Sequence, residues 1–301
     1  MNKKYLNLKT QVFTFAIVAF FALGCGENQL SDDQIEAPIE ESDPNNVQLM
    51  EIDGKVFSIP SPIQTALLIK DAGINYNKDI LNEPSMVTNY ATSVKKAINL
   101  GIYGADLGYV TMYDQTQDAI SFLTAVKSIA DDLGVSSAFD LELVERFEKN
   151  IGNQDSLLVL VSDAYKASDR FLKDHQQNDI GSLILAGGWI ESLYFATSIA
   201  AITENEALVK RIGEQKSTVY NLIKLLTPYY VKPEITVLVD HLMELNEIYE
   251  EVESSYTFVK PTVDVATKTT TVNSTTIVTI SAAQLKAISD KIMAMRIAII
   301  S

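Results

Sequence analysis

The chain has 301 residues, is 47 % hydrophobic and 21 % charged, and carries 39 acidic against 24 basic side chains for a net charge of −15. That apolar content excludes a disordered chain, and 13 glycines with 8 prolines are too few for collagen-like or linker-like sequence, which leaves room for long helices. The acidity excludes nucleic acid as a partner, because phosphate binding needs a clustered basic face.

The first segment has Lys3, Lys4 and Lys9, then an apolar run from Val12 to Leu23, then Gly24 and the only cysteine, Cys25. A basic end, a short apolar stretch and a small residue at its close make the layout of a secretory signal. A run of about a dozen residues falls short of the roughly 20 that a membrane-spanning helix needs. Residues 1–24 are therefore expected to be removed as a signal peptide. Ala22-Leu23-Gly24-Cys25 resembles the lipobox of bacterial lipoproteins, with Ala22 standing where that family usually has Leu. The resemblance covers the first 25 residues. It implies a lipid on the Cys25 sulfur, Cys25 as the first residue after cleavage, the membrane as a partner through that lipid, and an outer-membrane location facing the periplasm or the cell surface.

Residues 25–48 hold seven acids (Glu27, Asp32, Asp33, Glu36, Glu40, Glu41 and Asp43), no base, and Pro38 and Pro44. With so little apolar surface to offset the cost of ordering, they are expected to be a flexible acidic tether. A single helical domain is expected over 49–301. It opens with strand-like residues Glu51 to Ile59 around an Asp53-Gly54 turn, and Ser61-Pro62 then reads as a helix cap followed by proline at the first helical position.

Pro84 is expected to open a helix running to about Tyr113, and Asp114 to Gln117 has capping-box spacing for the next, ending near Gly134. Phe139, Leu143, Val144, Phe147 and Ile151 form one amphipathic stripe, and Leu157, Leu158, Val161, Tyr165, Ser168 and Leu172 another. A nearly uncharged helix, Ile180 to Ile202, precedes one with apolar residues at Leu208, Ile212, Val219, Leu222 and Leu226. After Pro233, Ile235, Leu238, Leu242, Leu245, Tyr249 and Val252 recur at alternating spacings of three and four, the seam of a helix packed lengthwise on neighbours. Thr262 to Ile280 carries eight threonines and alternating β-branched residues about Val272-Asn273-Ser274, which predicts a hairpin. The last helix repeats the seam with Leu285, Ile288, Ile292, Met295 and Ile299 behind a Ser281 to Gln284 capping box. The fold class expected is mainly α, a multi-helix antiparallel bundle with a small β-hairpin near the C-terminus.

Chemistry is sought in the two most apolar helices. Asp106 is the only charge between Ala97 and Tyr113, and Glu191 the only one between Ile180 and Ile202. A carboxylate on a helix that is apolar all round is expected to be buried, where it needs a partner or stays protonated. Gly101, Gly104 and Gly108 share a face, and each glycine lowers helix stability by about 0.8–1.0 kcal/mol relative to alanine, so something gains from close approach to that backbone. Tyr103, Asp106 and Tyr113 with Trp189, Glu191 and Tyr194 are the candidate lining of a ligand pocket; the alternative is that these polar groups are hydrogen-bonded anchors of the core.

No cofactor or metal is expected: the histidines are His175 and His241, and His241 with Glu244 is read as a partly exposed pair at helical spacing. Phosphate-loop, nucleophile-elbow and zinc-protease patterns are absent. The function expected is a lipid-anchored envelope protein with a non-catalytic binding or interaction role, its partner another envelope protein or a small molecule. The alternative is an enzyme with a carboxylate-based or metal-assisted site in the bundle.

Overall fold

The computed structural model describes residues 48–136, 145–147, 149–150 and 174–301, less 53–54, 204, 265–268 and 272, with scattered positions between 150 and 174. The expected signal peptide, Cys25 and the expected tether lie outside the described residues, except that Gln48, the tether's last residue, is the first of a strand; most of the two stripes between Phe139 and Leu172 lie outside as well. Of those stripes, Phe147 and Leu172 are described and buried, as is the neighbouring Leu160.

The fold is mainly α. A hairpin of β1 (Gln48–Ile52) and β2 (Lys55–Ile59) comes first, paired antiparallel with Gln48 opposite Ile59 and Ile52 opposite Lys55. Helix α1 (Pro62–Asp71) starts at proline as expected. The helix expected from Pro84 divides: Pro84–Asn89 is a 3₁₀ turn, Tyr90 is extended, and α2 spans Ser93–Met112 with the Thr92 hydroxyl accepting from the Lys95 N–H at 3.2 Å. The extended step at Tyr90 places its ring in the core, where Tyr90 Oη accepts from Asn82 Nδ2 at 3.0 Å; a tertiary contact overrides local helix preference.

Helix α3 covers Thr116–Leu133, but the expected capping box does not form. Asp114 adopts φ +55°, its N–H bonds Thr111 O, and the Gln115 N–H bonds Val110 O. This is the Schellman closure of α2, so Asp114 ends one helix instead of starting the next. Gly134 closes α3 the same way, at φ +72° with Val135 N–H on Ala130 O.

Helix α4 (Asn178–Thr203) is the apolar helix of the sequence. It is long and apolar enough to cross a membrane, yet 83 % of its most apolar window is buried inside the protein. The single helix expected after it divides into two, α5 (Glu206–Gly213) and α6 (Lys216–Leu226). The break falls at Gly213, where a Cβ would stand 2.5 Å from Val278 Cγ1, and Gln215, whose amide is drawn to Trp189 and the Arg211 carbonyl. Helix α7 (Pro233–Glu250) buries Ile235, Leu238, Leu242, Leu245 and Tyr249 as its spacing predicts. Helix α8 (Ala282–Ile300) begins with a complete Ser281–Gln284 capping box and buries Ile288, Ile292 and Met295.

Between α7 and α8 the β segment is arranged differently from the expected hairpin about Val272-Asn273-Ser274. The outer ladder pairs β3 (Glu253–Thr257) with β6 (Thr275–Thr279), and the inner one pairs β4 (Thr262–Asp264) with β5 (Thr269–Thr271). Asn273 and Ser274 therefore lie in the link from β5 to β6, because the hairpin borrows its first strand from residues just after α7.

At the centre of the bundle, α2 and α4 cross with backbones nearly touching. A Cβ on Gly101 would fall on the Ile184 carbonyl, and one on Gly187 on the Ile98 carbonyl. The close approach anticipated along the glycine face is thus made by another helix. Farther along, Tyr109 and Phe195 rings stand 5.1 Å apart, so the two helices run in the same direction. Two sequence-adjacent pairs are antiparallel instead: Lys96 reaches Asp132 across α2 and α3, and Gln284 at the start of α8 reaches the Glu251 carbonyl at the end of α7.

Candidate functional site

Asp106 of α2 and Glu191 of α4 are brought together beyond the glycine crossing, both fully buried. Their counter-ion is Arg296 of α8, itself only 7 % exposed. Its Nε donates to Glu191 Oε2 and its Nη2 to Glu191 Oε1, each at 2.7 Å, and Nη2 also donates to the Ile80 carbonyl at 3.1 Å. The guanidinium lies 4.2 Å above the Tyr194 ring, a cation–π contact that shields its remaining face. Asp106 Oδ2 accepts the Asn82 backbone N–H at 3.3 Å, and the Glu191 carboxylate is near enough to act on it electrostatically.

Two carboxyls and one guanidinium out of contact with water cannot all be charged without leaving one negative charge uncompensated, which burial makes prohibitive. The bidentate bond assigns the guanidinium to Glu191. Burial, and then the Glu191 carboxylate beside it, push the Asp106 acid well above the ordinary aspartate range. Burial also raises Glu191, but Arg296 opposes it; burial works against the Arg296 charge, and Glu191 more than offsets that. Asp106 Oδ1 has no hydrogen-bond partner. The arrangement is a neutral acid, a carboxylate and a guanidinium that tie α2, α4, α8 and the Ile80–Asn82 segment together.

The remaining candidates go elsewhere. Tyr103, one turn before Asp106, donates to the Glu83 carbonyl at 2.8 Å. Tyr113 donates to the Ile74 carbonyl at 2.8 Å and joins Tyr76 and Tyr109 in an aromatic cluster. Trp189 turns to the other side of α4, where its Nε1 donates to Gln215 Oε1 at 3.0 Å. A small cleft there, beside Pro60, Thr65 and Arg211, has room for about one water molecule. The six residues thus occupy separate surroundings, with Asp106, Glu191 and Tyr194 meeting around Arg296.

Arg296 is not among the residues that the sequence singles out, yet the same signal marks it: it is the only charge from Ile292 to Ser301. His241 and Glu244 face Lys291, whose ammonium lies 3.0 Å from His241 Nδ1 and is hydrogen-bonded to Glu244. Among the described residues no three His, Cys, Asp or Glu side chains converge as a metal-binding group.

Comparison with family models, with characterised proteins and with solved structures finds no match.

Proposed function

We propose that this is a lipid-anchored protein of the bacterial outer membrane whose helical domain serves a non-catalytic binding or interaction role. The anchor rests on Ala22-Leu23-Gly24-Cys25 closing a basic-then-apolar segment, with the only cysteine of the chain at the position that would be lipidated. A diacylglyceryl group with an N-acyl chain holds firmly where one chain alone is marginal. The non-catalytic reading is carried by one observation: Asp106 and Glu191, the only charges in the apolar spans of α2 and α4, are held away from solvent, Glu191 by Arg296 and Asp106 by the Asn82 N–H. A group meant to bind or transform a ligand needs a face open to it.

The test is mass spectrometry of the N-terminus of protein made in its own cells, followed by native mass spectrometry of the intact chain. A lipidated peptide beginning at Cys25 is expected, and a lipid-free one beginning at Gly26 or later overturns the anchor. A retained small molecule that Asp106→Asn displaces without lowering the melting temperature overturns the non-catalytic core role of the acids.

A further inference from the structure

The cleft beside Trp189 lies where α1, α4 and the break between α5 and α6 meet. Thr65, Ser192 and Gln215, which line it, are each 5 % exposed, and Arg211 lines it from α5 with only 24 % of its side chain exposed. A guanidinium carries five N–H donors. Among the described residues this one makes a single side-chain hydrogen bond, from Nη2 to Gln64 Oε1 at 2.9 Å. The acid beside it is Glu214, whose carboxylate is divided: one oxygen lies 3.9 Å from Arg211 Nη1 and the other 3.8 Å from Lys210 Nζ, beyond hydrogen-bonding distance of both. Burial pulls the Arg211 pKa below the ordinary arginine value, and Glu214 restores only part of it.

Thr65 adds a second donor. Its hydroxyl has no hydrogen-bond partner among the described residues, yet it is not sealed from solvent as the Thr111 hydroxyl is, so it opens on the cleft. Gln215 Oε1 is taken by the Trp189 N–H and one Nε2 hydrogen by the Arg211 carbonyl, which leaves the other amide hydrogen. Ser192 spends its proton on the Gly188 carbonyl. The cleft is thus bordered by a cation, a hydroxyl and an amide N–H, with room for an occupant about the size of one water molecule. We propose that it binds a single halide ion, such as chloride, held by Arg211, Thr65 and Gln215.

Charge and size select this occupant. A halide only accepts hydrogen bonds, which matches a border of donors, and it brings the negative charge that Glu214, 3.9 Å away, supplies incompletely. Carboxylates and phosphates, the usual anionic partners of arginine, are too large for a space of one water. The ion would join α1, α4 and α5 at one point, so its binding stabilises the fold. This inference stands apart from the lipid anchor and from the Asp106, Glu191 and Arg296 cluster on the other side of α4.

Trp189 is the only tryptophan of the chain, and it lines the cleft, so its fluorescence reports the occupant. At 2 % exposure it is little quenched by ions colliding from solution, whereas a bromide seated against it quenches through the heavy-atom effect. The test is a titration of the full chain, in non-denaturing detergent, with sodium bromide from about 1 to 300 mM, ionic strength being held constant with sodium methanesulfonate, whose anion is too large for the cleft. Saturable quenching is expected, reversed by added chloride. The melting temperature is expected to rise when chloride replaces methanesulfonate. Arg211→Gln is expected to weaken bromide binding about tenfold or more and Thr65→Val about threefold or more, since hydrogen bonds to a charged group are the stronger kind. Should Arg211→Gln fail to fold, Thr65→Val, which keeps the shape of the side chain, decides alone. Quenching that stays linear in bromide, that chloride does not reverse, or that either folded variant leaves unchanged overturns the proposal and leaves the cleft to water.

Discussion

Arg296 grips Glu191 through two parallel hydrogen bonds of 2.7 Å, while Asp106 receives only the Asn82 backbone N–H. The asymmetry makes the two buried acids chemically different. Arg296→Met is expected to strip the site of its only cation and cost about 3–5 kcal/mol at neutral pH, the usual penalty for removing one member of a buried pair. Part of that loss should return as the pH falls, because without Arg296 burial acts unopposed on Glu191 and favours its protonated form in the folded state. Chemical denaturation at two pH values measures both effects.

Asp106→Asn is expected to stabilise the protein in neutral and alkaline solution. The folded-state acid lies above its unfolded value of about 3.9, so the folded protein holds a proton that the unfolded chain releases. The stability from that group is complete below the unfolded value and declines as pH rises towards the folded one, by about 1.4 kcal/mol per pH unit where the difference is one whole proton. Asparagine keeps the donor without the titration. The two proteins should have similar melting temperatures near pH 4 and diverge, variant above wild type, at pH 7 to 8. A variant that is less stable at pH 8 would mean that Asp106 is ionised in the fold.

Gly101→Ala is expected to be strongly destabilising, by about 3 kcal/mol or more, because the new Cβ meets the Ile184 carbonyl and a helix backbone cannot step aside as a side chain does. Gly108→Ala is the contrast: its Cβ would stand 3.3 Å from Ile63 Cγ1, a side-chain atom that has to give by only a few tenths of an ångström. Alanine gains about 0.8–1.0 kcal/mol of helix propensity there, so the net change should stay within about 1 kcal/mol of zero. Thermal melts of the two variants decide it.

Ser281→Ala removes a hydroxyl that accepts the Gln284 N–H at 3.2 Å in a complete capping box, and is expected to cost about 1 kcal/mol. Ser61→Ala, at the start of α1, removes a hydroxyl that makes no cap bond, so its cost should be well below that. Urea unfolding of each variant gives the comparison.

The long apolar stripes and strong terminal signals are legible in the sequence. Ile235 to Tyr249, Ser281 with Gln284, and Pro62 report local periodicity and capping, which the fold leaves in place. Choices made by distant contacts are not legible there. Tyr90 breaks the helix expected from Pro84 because its ring belongs to the core, and Asp114 turns left-handed to close α2 although its spacing suits a cap for α3. The candidate site is half legible: lone carboxylates in apolar helices mark Asp106 and Glu191 as buried. Applied to α8, the same criterion marks Arg296, but nothing local tells which of the two acids it meets. Tyr113 and Trp189 share helices with the acids but point to other neighbours, a matter of rotation about the helix axis that residue spacing settles only when the packing partner is known.

Arg296 enters the chain 105 residues after Glu191 and 216 after Ile80, both of which it binds. Until that late helix has emerged and docked, the nascent core holds two acids and no cation, and the α2–α4 crossing cannot be sealed at its charged end. Early collapse is therefore left reversible, and the final closure belongs to a contact spanning most of the domain, the kind that slows folding. If the chain is exported as proposed, and so must stay threadable until it is across, a keystone that arrives last is an advantage written into the order of synthesis.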